Sequence, residues 1–141
     1  MKKLYIASPF FSDRETEVLS RVENILKGRG FDVFSPRENE VRSGDTGTPE
    51  WSLATFENDR NAIDRCDAVV MLYWGNYSDS GTAWECGYAY GKGKPVAVVH
   101  LGDTSNLMVH EGSHTNLMSV EELEDYDFEN PEKRRFSGKM Y

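Results

Sequence analysis

The sequence predicts an α/β fold: one domain in which a parallel sheet is covered by helices on both faces. Three observations carry this. Short runs rich in β-branched and aromatic residues alternate with longer runs of helical period. The central run, Ala68-Val-Val-Met-Leu-Tyr73, is apolar throughout, as a strand buried on both faces must be. The chain has 141 residues, enough for one hydrophobic core with no room for a second.

The elements follow in order. Residues 3–7 read as a first strand, ended by Ser8-Pro9. Ser12-Asp-Arg-Glu15 is a capping box, after which Val18, Leu19, Val22, Ile25 and Leu26 repeat at helical spacing. Gly28 and Gly30 close that helix. Residues 31–34 are a second strand, stopped by Ser35-Pro36. The polar stretch 37–50, with Gly44, Gly47 and Pro49, reads as a loop long enough to suggest a function. A second helix over 51–65, a third strand over 67–73, a third helix over 82–92 and a fourth strand over 95–100 come next. A short helix over 106–111 and a short fifth strand over 115–119 complete the periodic part. The acidic run from Glu121 reads as a solvated helix face capped by Ser119, and the chain is irregular from there to Tyr141. Strands and helices in this alternation predict a flavodoxin-like (Rossmann-like) three-layer sandwich. Its five parallel strands take the order 2-1-3-4-5, with a ligand crevice between strands 1 and 3.

The net charge of −8 argues against a nucleic-acid polymer as partner, because phosphate binding needs clustered Lys and Arg. A nearly neutral nucleoside is not excluded. Cys66 and Cys86, the two cysteines, show no spacing motif and no leader precedes them, so a reducing cytoplasm is expected. No apolar run approaches membrane-spanning length. His110 and His114 have the spacing of a metal pair, but no third ligand pattern accompanies them and no metal is expected.

Three strand ends point at the crevice. Strand 1 delivers Tyr5 and then Ser8-Pro9-Phe10-Phe11; strand 2 delivers Ser35-Pro-Arg-Glu-Asn-Glu40; strand 3 leads to Asp79-Ser-Gly-Thr-Ala-Trp-Glu85. The crevice is therefore aromatic and acidic together. Aromatic walls suit a flat base, and carboxylates suit sugar hydroxyls or a developing cation. No Gly-rich loop with Lys marks a phosphate site, and Pro9 removes a backbone donor where such a loop would need one. Glu85 has two readings. At a helix start it is a carboxylate kept charged for nucleophilic attack; in Thr82-x-x-Glu85 it is the closing member of a capping box. Asp59 shares a helix face with Phe56 and Ile63, which is costly unless the carboxylate is functional, faces a rim, or pairs with Arg14, Arg37 or Lys94.

Five segments, in order along nearly the whole chain, resemble the nucleoside 2-deoxyribosyltransferases. They are Tyr5-Ile-Ala-Ser-Pro-Phe-Phe11, Phe34-Ser-Pro-Arg-Glu-Asn39, Glu57-Asn-Asp59, Asp79-Ser-Gly-Thr-Ala-Trp-Glu85 and Asn106-Leu-Met108. The resemblance implies transfer of 2-deoxyribose between purine or pyrimidine bases through a covalent glycosyl-enzyme, without cofactor or metal. It implies Glu85 as nucleophile, Tyr5 as its orienting partner, and Asp79 and Asp59 as the groups that hold substrate and manage the base's proton. Ser8, Phe10, Phe11, Glu38, Asn39, Glu40, Gly81 and Trp84 fall in the segments that contact substrate. Family members often carry Gln where Glu40 stands. The resemblance further implies a homo-oligomer built from dimers, up to hexamers, in which Asn106, Met108 and the carboxylate of Tyr141 complete a neighbouring subunit's pocket. Two rivals stand beside this reading: a 2′-deoxynucleoside or 5′-monophosphate N-glycoside hydrolase on the same fold, and a nucleoside-sensing module that binds without turnover.

Overall fold

The computed structural model describes residues 2–76 and 78–140. Its centre is an all-parallel sheet formed by β1 (Lys3–Ala7), β2 (Asp32–Phe34), β3 (Ala68–Tyr73), β4 (Val96–His100) and β6 (Thr115–Leu117), in the spatial order β2-β1-β3-β4-β6. This is the expected order 2-1-3-4-5, with β6 as the fifth strand of the sheet. β1 pairs with β2 on one side and β3 on the other, so the chain reverses its winding direction there.

Strand alternation divides the core in two. Leu4, Ile6, Val70 and Leu72 face one way and meet Leu19, Val22 and Leu26 of α1 (Asp13–Gly28). Tyr5, Ala7, Val69 and Met71 face the other way and meet Ala62 and Ile63 of α2 (Pro49–Arg65) and Cys86 and Ala89 of α3 (Ser80–Gly91). Each fully buried aliphatic side chain contributes about 1.5–3 kcal/mol. The long helix α1 therefore covers one face and α2 and α3 cover most of the other, and the crevice opens above the carboxyl ends of β1 and β3.

Several boundaries depart from expectation. The stretch 37–50 is not all loop: Pro36–Glu38 forms a 3-10 turn, and α2 begins at Pro49 with Thr48 accepting the Trp51 N–H. Proline suits the first helical turn, where its missing N–H costs nothing. α3 begins at Ser80 because Asp79, not Thr82, is its cap. The acidic run is a 3-10 turn over Val120–Glu124 whose Val120 and Leu123 are buried, so only part of it is solvated. Two short strands, β5 (Thr104–Ser105) and β7 (Lys139–Met140), pair outside the main sheet, and α4 (Leu107–Glu111) follows β5. The final segment is thereby ordered against the sheet edge, where Asn116 N–H donates to the Arg134 carbonyl at 2.9 Å.

Candidate active site

A cavity of about 710 Å³ lies at the switch point, within the size range of sites that enclose small organic ligands. The segment after β1 supplies Ser8, Phe10 and Phe11. The segment after β2 supplies Asn39 and Glu40; α2 supplies Thr55, Phe56, Asn58 and Asp59; Asp79, Gly81, Trp84 and Glu85 come from the start of α3. Phe56 meets Trp84 edge to face at 5.3 Å, making an aromatic wall.

Glu85 is held from below. Tyr5, completely buried in β1, stacks on Phe34 at 5.5 Å and donates its hydroxyl to Glu85 Oε2. The capping-box reading of Glu85 is overturned. The Thr82 N–H and hydroxyl both donate to Asp79 Oδ2, at 2.9 and 2.8 Å, so the cap is Asp79 and the Glu85 side chain is released for the cavity. The expectation that Glu85 stays charged is also revised. It lies in the second turn of α3, and burial pushes its carboxyl up to about 8, with Asp59 and Asp79 adding repulsion and the Tyr5 hydroxyl pulling the other way. Burial also raises Asp59, to about 6. Tyr5 itself is driven above the ordinary phenol range by burial and by the Glu85 and Asp59 charges.

Asp59 has none of the structural partners the sequence allowed. Arg37 is forked onto Glu23, Lys94 donates to the carbonyls of Asp64 and Cys66 at 3.0 and 2.7 Å, and the Arg14 guanidinium lies over the Trp74 ring at 5.5 Å. Among the described residues Asp59 has no hydrogen-bond or ion-pair partner, and it faces the cavity.

Other expected residues fall elsewhere. Glu38 is not in the cavity lining; it forms an ion pair with Lys27 at 2.7 Å on the surface. Asn106 caps α4, accepting the Met108 N–H at 2.8 Å, and its own N–H donates to the Tyr73 hydroxyl at 3.0 Å. Neither Asn106 nor Met108 lines this chain's own cavity, and Met108 is 75% exposed. Tyr141 lies outside the described residues. Among the described residues no group of three or more His, Cys, Asp or Glu is placed to hold a metal. His110 Nδ1 instead meets Ser105 Oγ at 2.8 Å, and His114 Nε2 meets the Pro131 carbonyl at 3.0 Å. Both cysteines are free, and burial pushes the Cys66 thiol up to about 11 and that of Cys86 well above its usual value, so neither is a ready nucleophile. Sequence reasoning missed Thr55, and it quoted Asn58 within Glu57-Asn-Asp59 without assigning it to the site. Thr55 stands one helical turn before Asp59, a spacing that could have found it.

Fold and site together define a class: an α/β protein whose buried carboxylates and aromatic walls meet at a topological switch point, suited to glycosyl transfer. The family model for nucleoside 2-deoxyribosyltransferases matches residues 4–118, and the chain belongs to that family. The 2-deoxyribosyltransferase of Bacillus psychrosaccharolyticus is 37% identical, with 95% of this chain and 99% of that one covered and a TM-score of 0.89. The nucleoside deoxyribosyltransferase of Lactobacillus leichmannii is 27% identical over 99% of this chain and 98% of its own length. A CMP N-glycosidase of Clostridium botulinum, 20% identical over 70% of this chain and 68% of its own with a TM-score of 0.51, shares the fold. No helix among the described residues is long and apolar enough to cross a membrane.

Proposed function

We propose that this chain moves 2-deoxyribose from a 2′-deoxynucleoside to a free purine or pyrimidine base through a covalent deoxyribosyl-Glu85 intermediate. One observation carries the reading: Glu85 sits at the cavity floor, fixed by the Tyr5 hydroxyl, with Asp59 and Asp79 lining the same space. Glu85 and Asp59 interact, so their titrations belong to the pair, and between about pH 6 and 8 the pair carries one proton. In the reactive arrangement that proton is on Asp59 and Glu85 is ionised, with Tyr5 supporting its charge.

Asp59 gives its proton to a ring nitrogen of the departing base. The C1′–N bond breaks with its electron pair going to the base, while a Glu85 oxygen bonds C1′ through an oxocarbenium-like transition state. A second base enters and its nitrogen attacks C1′. The C1′–O pair returns to Glu85, and the incoming base's proton returns to Asp59. Two inversions give net retention and ping-pong kinetics. Asp79, whose Oδ1 has no partner among the described residues, offers an acceptor to substrate. A cytoplasmic place belongs to this reading, and two free, buried cysteines are compatible with it.

The test is incubation with deoxyinosine plus adenine, and with thymidine plus adenine, followed by liquid chromatography. Deoxyadenosine is expected from at least one donor. Free base without deoxyadenosine would make the chain a hydrolase, and no turnover with bound nucleoside would make it a sensor. Glu85→Ala should lower transfer by about four orders of magnitude or more, the scale on which nucleophile removal acts.

A further inference from the structure

Glu23 is a buried carboxylate that the proposed reaction does not use. It lies on α1, is 2% exposed, and receives three donors. Ser35 Oγ donates to it at 2.5 Å, Arg37 Nε at 3.0 Å, and Arg37 Nη2 closes the fork. Both partners come from one place, the turn that ends β2. A fork of this kind fixes direction as well as distance. From the turn, Asn39 Nδ2 donates back to the Ser35 carbonyl at 2.9 Å, and Asn58 Nδ2 of α2 donates to the Asn39 carbonyl at 2.8 Å. Pro36, Asn39, Glu40 and Asn58 line the cavity, whereas Glu23 and Arg37 do not.

We propose that Glu23 and Arg37 are positioning residues: their ion pair fixes the β2 turn so that Asn39 and Glu40 meet the nucleobase at a set depth. This rests on reading the cavity as a nucleobase site. The physical logic is that a buried ion pair adds little net stability beside well-packed apolar residues, while it does constrain geometry. The pair ties the wall to α1, on the far side of the sheet from α2 and α3. Glu85 is held by different contacts, the Tyr5 hydroxyl and the stacking of the Tyr5 ring on Phe34, inside the strands rather than in the turn.

The separation makes the test. Binding of free adenine and hypoxanthine is measured by titration calorimetry, and transfer kinetics are measured alongside. Arg37→Gln should raise the Kd of both bases, and the KM of the nucleoside, by about tenfold, the scale of one lost hydrogen bond to the base. The kcat at saturating nucleoside should fall by less than the base affinity does, because the bond from Tyr5 to Glu85 is untouched. Arg37→Lys, which restores the charge without the fork, should fall between. Glu23→Leu with Arg37→Met removes both charges at once and leaves no buried ion unpaired, so it should fold, less stably than the parent only by the Ser35 hydroxyl left without its acceptor, and still bind bases weakly. Unchanged base affinity in that folded double variant overturns the proposal, as does a fall in kcat with Kd unchanged in Arg37→Gln. Calorimetry reads the proposal even without turnover: adenine binding that weakens in these variants supports it whether or not the parent transfers deoxyribose. A parent that transfers deoxyribose with variants of equal affinity sinks this proposal alone.

Discussion

Burying Glu85 beneath the cavity costs free energy when the group ionises, and two pH dependences follow. The carboxyl rises from an ordinary 4.5 to about 8, so the folded chain keeps a proton that the unfolded chain releases. The stabilising contribution of that proton is complete below about pH 4.5 and is lost as pH rises to about 8. Glu85→Gln is neutral at every pH and escapes the loss. Urea unfolding should therefore show the variant gaining on the parent by a few kcal/mol between pH 5 and pH 9. A parallel pH response of the two proteins would contradict this account. Activity should peak between limbs near pH 6 and 8, where the pair holds one proton. Below the lower limb both carboxyls are protonated and no nucleophile exists; above the upper one both are charged and no acid remains. Asp59→Asn should slow transfer by about 10²–10⁴-fold and remove the alkaline limb, since only Glu85 ionisation then matters. A variant that keeps the alkaline limb would pass the acid role to Asp79.

Elements place these groups through their ends, and two glycines test how tightly. Gly102 links β4 to β5, and a Cβ there would sit 2.5 Å from the Trp74 carbonyl oxygen, a backbone atom that cannot swing aside. Gly102→Ala should destabilise by about 1–3 kcal/mol. Gly28 ends α1 with open space around its would-be Cβ, and Gly28→Ala should stabilise by about 0.4–1 kcal/mol. Chemical denaturation of both variants checks the contrast, and two equal shifts would refute it. Element ends were also where the sequence was hardest to read. The helix and strand interiors were legible because their apolar periods are long. The start of α3 was misplaced because Asp79 and Thr82 are both good caps, and only the fold shows that Thr82 is turned onto Asp79. β5 and β7, two residues each, have no period to detect. Asp59 stood out as a carboxylate on an apolar stripe, but Glu23 did not, because its partner Arg37 belongs to another element.

At the scale of the whole molecule, the cavity of one chain lacks part of what the family resemblance assigns to it. Asn106 is rigidly held, by its cap of α4 and by the Tyr73 hydroxyl, yet it does not face its own cavity. Beside it Leu107 and Met108 are exposed at 50% and 75%. A fixed polar residue beside two exposed apolar ones suits a surface that meets another copy. We infer a homo-oligomer in which Asn106 of one subunit reaches the sugar in its neighbour's cavity. This part of the site was legible only through the resemblance, because spacing along one chain carries no information about a contact between chains. Mixing is the direct test. Glu85→Ala lacks the nucleophile but keeps Asn106; Asn106→Ala is the reverse. Each should be nearly inactive alone. Co-refolded in equal amounts as two-fold pairs, half of the pairs contain both chains, and one of their two sites is intact, so about a quarter of the parent activity should return. No recovery, in mixtures shown to exchange subunits, would place Asn106 outside the neighbour's site.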